Sequence, residues 1–254
     1  MDFCAVQLLG GLGNQLFQYA AGLAIQKKTG GKLYLYAALA NKHSGIDYRT
    51  ILYTGGIPQN TILPITYIYS QKNGFEIWSP GSPSLTLHKS ITLKGYFQYL
   101  PAIAEVIPKL RESVLQVIPS FPEYANYSFL HIRRGDYLQY STVYPALGES
   151  YYVAALKEIG STKCIILSDD IPWCREQSWL SSQSDPEKSF IFIDEPNEVR
   201  VLGIMASCNK GAIIANSTFS WWGAILSGSE KVVYPSKWIS FATPELFPLT
   251  WTCI

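Results

Sequence analysis

The sequence predicts an α/β protein built on parallel sheets, and three observations carry that expectation. Residues 127 to 234 alternate short apolar runs with helical periods, the chain opens on a strand, glycine turn, helix and strand, and Pro119 and Pro122 interrupt the pattern near its middle. Parallel strands covered on both faces read as continuous apolar runs, and each crossover between them needs a connecting helix. A chain of 254 residues holds one large domain or two of about 125 residues each. The proline-punctuated stretch places the junction at 122/123, giving an N-terminal domain over 1–122 and a C-terminal one over 123–254.

The elements follow in order. Phe3 to Leu9 is a buried-strand run, Gly10-Gly11-Leu12-Gly13 a tight turn, and Asn14 to Thr29 a helix with Leu16, Phe17, Ala20, Leu23, Ala24 and Ile25 at helical spacing. Gly30 and Gly31 suit a left-handed cap that ends this helix before the strand Lys32 to Tyr36. Between 37 and 90 the pattern dissolves into short aromatic and β-branched pieces, of which Ile62 to Tyr69 is a strand candidate. Ile91 to Phe97 is extended, and Leu100 to Val117 is helical with a kink or restart at Pro108, which has no amide hydrogen to donate. Strands at 127–132, 163–168, 190–193, 211–215 and 231–234 then alternate with helices at 150–159, 171–180, 197–208 and 217–227.

Composition narrows the function classes. With 20 basic and 19 acidic residues the formal charge is +1, so no global field attracts nucleic acid or an anionic membrane, and any anion must be held locally. The five cysteines are scattered, without CxxC spacing or neighbouring histidines, so neither a zinc site nor a disulfide framework is implied. Phe3 to Leu9 is too short for a signal-peptide core or a membrane span. The expectation is a soluble, cytoplasmic protein without a metal. Asn126 and Asn216 head glycosylation sequons, and a glycan at Asn216 would obstruct one of the strand ends described next.

Chemistry concentrates at strand ends, where open α/β sheets bind ligands. His131-Ile132-Arg133-Arg134-Gly135-Asp136-Tyr137 sets an imidazole, two guanidinium groups and a carboxylate beside one glycine, directly after the run Tyr127 to Leu130. A planar guanidinium offers forked donors matched to phosphate, and glycine lets backbone approach it. Alternatively, both arginines are surface charges paired with Asp136. Gly11-Leu12-Gly13-Asn14-Gln15 opens a helix whose first N–H groups can hold an anion, or Asn14 is an ordinary N-cap. A dinucleotide fingerprint fits poorly, because Leu16 stands where a third glycine or alanine belongs and the strand Lys32 to Tyr36 ends without an acidic ribose ligand.

Asp169 and Asp170 close the strand Ile165 to Ser168, placed to accept hydrogen bonds from ribose or base, or to cap the helix that Pro172 begins. They lack the spacing of a metal-binding pair. Ile213 to Ala215 runs into a helix through Asn216, Ser217 and Thr218, and the hydroxyls of Ser217 and Thr218 either join the helix N-terminal amides around a phosphate or only cap. Trp221 and Trp222 read as core.

With these residues in view the chain resembles glycosyltransferase family 11, the α-1,2-fucosyltransferases. The matching words are GGLGNQLFQYAAG at 10–22, GYFQ at 95–98, HIRRGDY at 131–137, SYY at 150–152, LSDDIPWC at 167–174 and IIANSTFSWWGAIL at 213–226. They recur in order over nearly the whole chain, 37–90 excepted. The resemblance implies a GT-B architecture, two Rossmann-like domains facing across a cleft, with GDP-fucose bound mainly by the C-terminal one. It implies inverting, metal-independent transfer of L-fucose from GDP-β-L-fucose to a sugar hydroxyl, the 2-OH of a galactoside, with no cofactor.

Carried over by position, Arg133 looks like the diphosphate ligand with Arg134 in support, and His131 like a nucleotide contact. Asp169 and Asp170 would lie near ribose or base, and Asn216, Ser217, Thr218 and Phe219 near diphosphate and nucleotide. Gly11 and Gly13 would join the donor contacts, and Asn14 resembles the asparagine that reaches into the catalytic cleft. A galactose-containing oligosaccharide acceptor would contact the N-terminal half, including 95–98. The family usually places a histidine where this chain reads Cys208-Asn209-Lys210-Gly211-Ala212.

Departure of GDP needs its growing charge stabilised, which without a metal falls to Arg133 and helix-terminal donors. The acceptor hydroxyl must lose a proton, for which Asp136 is the candidate base; equally, Asp136 is a salt bridge that orients an arginine. The other classes open to this sequence are a fucosyltransferase of different linkage, a protein O-fucosyltransferase, and a nucleotide-sugar binding module without catalysis.

Overall fold

A computed structural model describes residues 3–37, 48, 68–70, 90–181, 189–240 and 245–254. The chain forms two compact units, residues 1–117 with 244–246, and residues 118–243 with 247–254.

The first unit carries β1 (Phe3–Leu8), α1 (Leu12–Thr29), β2 (Lys32–Ala37), β3 (Ile68–Ser70), β4 (Ser90–Lys94), α2 (Leu100–Ile103) and α3 (Ile107–Leu115). Its four strands run in the order β2-β1-β4-β3, with every pairing parallel. Cys4, Ala5, Val6 and Leu8 are all buried, as expected of a strand flanked on both sides. Gly30 ends α1 in the left-handed conformation, its N–H on the Gln26 carbonyl at 2.8 Å.

One expectation changes here. Gly11, not Asn14, is the N-cap of α1, and Asn14 stands in the first turn. The helix expected over 100–117 with a kink or restart at Pro108 does restart there, as α2, a 3₁₀ turn at Ala104–Val106, and α3. Pro108 is the cause: it occupies the first turn of α3, where its missing N–H leaves no bond unmade, and the i→i−4 ladder cannot run through it. Of the strand anticipated at 62–69, residues 62–67 lie outside the described residues, and β3 holds the rest.

The second unit carries β5 (Ser128–Ile132), α4 (Gly135–Gln139), α5 (Glu149–Ile159), β6 (Lys163–Ser168), α6 (Ile171–Glu176), β7 (Ser189–Ile193), α7 (Glu198–Ser207), β8 (Ala212–Ile213), α8 (Thr218–Ser227), β9 (Val232–Tyr234) and β10 (Thr252–Cys253). Its six parallel strands lie in the order β10-β9-β8-β5-β6-β7. The chain therefore winds outward from β5 through β6 to β7, returns to place β8 on the other side of β5, and winds outward again. That is the doubly wound order, and β5 and β8 flank its switch point, outside whose carboxyl ends such sheets bind ligands.

Leu130, Ile132, Tyr152, Ile166 and Ile213 form one buried cluster, and Trp221 and Trp222, edge to face at 4.9 Å, are fully buried at the start of α8. Tyr151 of α5 donates its hydroxyl to the Ile214 carbonyl at 2.6 Å, tying the helix to the end of β8. The two-residue strand β10 and the helix α4 are additions to the elements expected from the sequence. No helix among the described residues is long and apolar enough to cross a membrane.

Candidate functional site

Two loops meet at the switch point of the six-stranded sheet. Arg133 and Arg134 lead from β5 into α4, residues 214–217 leave β8, and the Tyr137 hydroxyl of α4 joins them by donating to the Asn216 carbonyl at 3.0 Å. Tyr137 stacks on Tyr144 with ring centroids 4.5 Å apart, and Arg133 lies 5.5 Å from the centre of its ring. Burial pushes the Tyr137 phenol well up, so it remains a donor at any working pH.

The Arg133 guanidinium sits between two carboxylates, Nη2 on Asp136 Oδ1 at 2.8 Å and Nη1 on Asp169 Oδ2 at 3.1 Å. Burial pulls its pKa down, but Asp169 and Asp136 outweigh this and hold it above the ordinary value. Arg134 is fixed differently. Its Nε bonds Asp170 Oδ2 at 3.1 Å, and its guanidinium lies 3.7 Å from the centre of the Trp173 ring. Asp170 also accepts the Trp173 N–H at 3.1 Å as N-cap of α6, as its place before Pro172 foretold.

Asp169 is the brace of the whole loop. Oδ1 accepts the Arg134 backbone N–H at 2.8 Å while Oδ2 holds Arg133, and a Cβ at Gly135 would stand 2.5 Å from Oδ2. The glycine in this motif is thus required by the close approach of Asp169. Both aspartates expected near ribose or base are engaged with the arginine loop. This cluster holds one more carboxylate than guanidinium, so it attracts no anion by net charge. Holding an anion there requires directed donors on a fixed frame.

The donors at hand are the Arg133 guanidinium and the N-terminus of α8. Ser217, 7% exposed, caps α8 by accepting the Phe219 N–H at 3.3 Å, and Thr218 begins the helix. Phe219 meets the His131 ring edge to face at 5.8 Å. Burial first, and Arg133 second, lower the His131 pKa to about 3, so the ring is neutral; its Nδ1 is buried without a hydrogen-bond partner. Asn216 is a framework residue: its amide nitrogen donates to the Pro145 and Trp238 carbonyls at 3.0 and 3.1 Å. Buried to 3% exposure, it has no room for a glycan.

In the first unit, Gly11, Gly13 and Asn14 follow β1, and β1 pairs with β4 where the order of that sheet reverses. Gly11 faces open space, Gly13 is buried within α1, and Asn14 Oδ1 accepts from Gln98 Nε2 at 3.1 Å. None of Tyr137, Trp173 and Gln98 stands out in the sequence as an individual site residue. Trp173 had a local signal, three residues beyond a capping aspartate. Tyr137 and Gln98 act on partners 79 and 84 positions away, which no spacing rule reaches.

The sequence profile of glycosyl transferase family 11 matches residues 84–240. Over 94% of its length the chain is 26% identical to an alpha-1,2-colitosyltransferase of Escherichia coli, covering 93% of that protein. Over 92% it is 27% identical to the O-antigen biosynthesis glycosyltransferase WbnK of Escherichia coli, covering 94%. The fold is similar to that of the fucosyltransferase NodZ from Bradyrhizobium, with a TM-score of 0.51, 11% identity, and coverage of 89% of this chain and 93% of that one.

Proposed function

Because the chain belongs to glycosyl transferase family 11, and is therefore a glycosyltransferase, we propose that it is an inverting fucosyltransferase of GT-B architecture. In this reading it moves L-fucose from GDP-β-L-fucose to the 2-OH of a galactoside, without a metal, in the cytoplasm. The second unit is the GDP-fucose side and the first the acceptor side. The observation that carries the reading is the Arg133 fork, held between Asp136 and Asp169 at the switch point of a doubly wound sheet, beside the N-terminus of α8.

The chemistry follows from that frame. As the bond from the anomeric carbon to GDP breaks, negative charge grows on the diphosphate, and Arg133 together with the first N–H groups of α8 and the Thr218 hydroxyl stabilise it. Preorganised donors are what this requires, because they need not reorient as the charge appears. His131, neutral, offers Nδ1 to the nucleotide. Of the two roles open to Asp136, its ion pair with Arg133 supports bracing.

Calorimetry tests the donor side: GDP and GDP-fucose bind and NAD does not, whereas binding of NAD or indifference to GDP overturns the reading. Linkage analysis of the product formed with lactose in EDTA tests the rest, and loss of all activity with the chelator, restored by one divalent ion, overturns metal independence. A second reading, transfer of colitose in place of fucose, is favoured by the likeness to an alpha-1,2-colitosyltransferase. The two nucleotide sugars in parallel assays separate them.

A further inference from the structure

We infer that Gln98 is a positioning residue for Asn14, fixing how the Asn14 amide is oriented; the inference rests on the proposed fucosyl transfer and on the part in it that the family resemblance gives Asn14. β1 and β4 are parallel neighbours, so the chain leaves both strands at the same end of the sheet. After β1 the turn is rigid. Gly10 has φ 71°, and a Cβ there would stand 2.7 Å from Asn14 Nδ2, so the side-chain amide lies directly on the turn. Buried Gln18 accepts the Leu9 N–H at 2.8 Å and donates to the Leu9 carbonyl at 3.3 Å, and Gln15 donates to the Gly10 carbonyl at 2.8 Å.

After β4 the chain takes an unusual path to deliver Gln98. Fully buried Phe97 has φ 54°, the left-handed region that non-glycine residues rarely enter. The Tyr99 N–H then bonds the Phe97 carbonyl at 2.9 Å, making Gln98 the central residue of a three-residue turn. Such a backbone persists only where the surroundings over-determine it, and it clusters at functional positions. Its result is that Gln98, 7% exposed, donates Nε2 to Asn14 Oδ1 at 3.1 Å. A primary amide has one acceptor end and one donor end. Engaging Oδ1 therefore determines the face on which Nδ2 stands, and the half-buried pair holds it there.

A double-mutant cycle on the full chain tests this, following GDP release from GDP-fucose with lactose as acceptor. Gln98→Ala lowers kcat roughly tenfold, with donor KM within about twofold, because a mispositioned group costs turnover rather than donor affinity. Gln98→Glu, similar in shape but with no N–H to give, falls at least as far. Asn14→Ala with Gln98→Ala is no slower than Asn14→Ala alone, as expected when one residue acts through the other. Multiplied losses in the double variant, parental kcat in Gln98→Ala, or a donor KM that rises in step overturn the inference.

Unchanged melting temperature and GDP affinity, the latter read at the second unit, exclude a folding defect. Should either variant melt lower, the Gln98→Glu comparison at a temperature where both are folded replaces it, and parental kcat there is equally fatal. Parental activity in Asn14→Ala removes Asn14 from the reaction and the inference with it, leaving the donor side intact. A parent that transfers fucose to neither lactose nor water overturns the proposed function as well.

Discussion

Replacing Gly135 by alanine is the sharpest single test of the arginine loop, because helix propensity and sterics predict opposite signs. Gly135 opens α4, where alanine is the better helix former by about 1 kcal/mol, and its backbone is not in the left-handed region. Propensity alone says the variant gains stability. The added Cβ, however, stands 2.5 Å from Asp169 Oδ2 and 3.3 Å from its Cγ, where an ordinary contact to oxygen needs about 3.4 Å or more. Oδ2 must retreat by roughly 1 Å, and its 3.1 Å bond to Arg133 then passes out of hydrogen-bond range. A charge-assisted bond contributes about 1.5 to 3 kcal/mol when buried. The two side chains are 30% and 24% exposed, so solvent screening lowers the figure to about 1 to 2 kcal/mol. If Arg133 must be held to meet the diphosphate, Gly135→Ala weakens GDP binding by roughly 5- to 30-fold in calorimetry, with melting changed little. GDP affinity within twofold of the parent, in a variant that melts no lower, refutes the claim that Asp169 holds the phosphate ligand in place.

Two further outcomes follow from the same geometry. Asp136→Asn keeps an acceptor for Arg133 but loses a partly exposed ion pair of about 1 kcal/mol, so GDP affinity and kcat/KM each fall no more than about fivefold; a loss of 100-fold in kcat with GDP affinity intact instead makes Asp136 the general base. His131 gives a pH dependence with a definite sign: its folded pKa of about 3 lies below the unfolded 6.5, so between these values the unfolded chain binds more protons and stability falls as pH falls. Urea unfolding at pH 7 and pH 5 should show the parent losing about 2 kcal/mol more than His131→Gln, and equal losses rule out a buried neutral imidazole.

Local features of the fold were legible because their causes are local. The strand at 163–168 and the helix ends at Gly30, Gly160 and Gly228 coincide with an apolar run and with glycines that alone enter the left-handed region at low cost. Asp170 and Ser217 cap helices because a short acceptor two or three residues ahead of a free N–H needs nothing from the rest of the chain. Trp221 and Trp222 are core, as their size at a helix start implied. α4 escaped because its five residues are all at least partly exposed, leaving no apolar period to read. β10 escaped because a two-residue strand has no period at all.

The α/β class, the alternation of elements in the second half, and the strand ends that carry the candidate site residues are thus all legible in the sequence. It also placed the words that mark the family. What tertiary structure decided was partnership. That Asp169 holds Arg133 and the Arg134 N–H depends on β6 lying next to β5 in one register, Leu130 beside Ile166 and Ile132 beside Ser168. Whether Asn14 caps a helix or pairs with Gln98 depends on β1 lying next to β4. Periodicity and capping are written in neighbouring residues, whereas strand order and register arise only when faces far apart in the chain are buried together, and these bring the site's side chains within bonding distance.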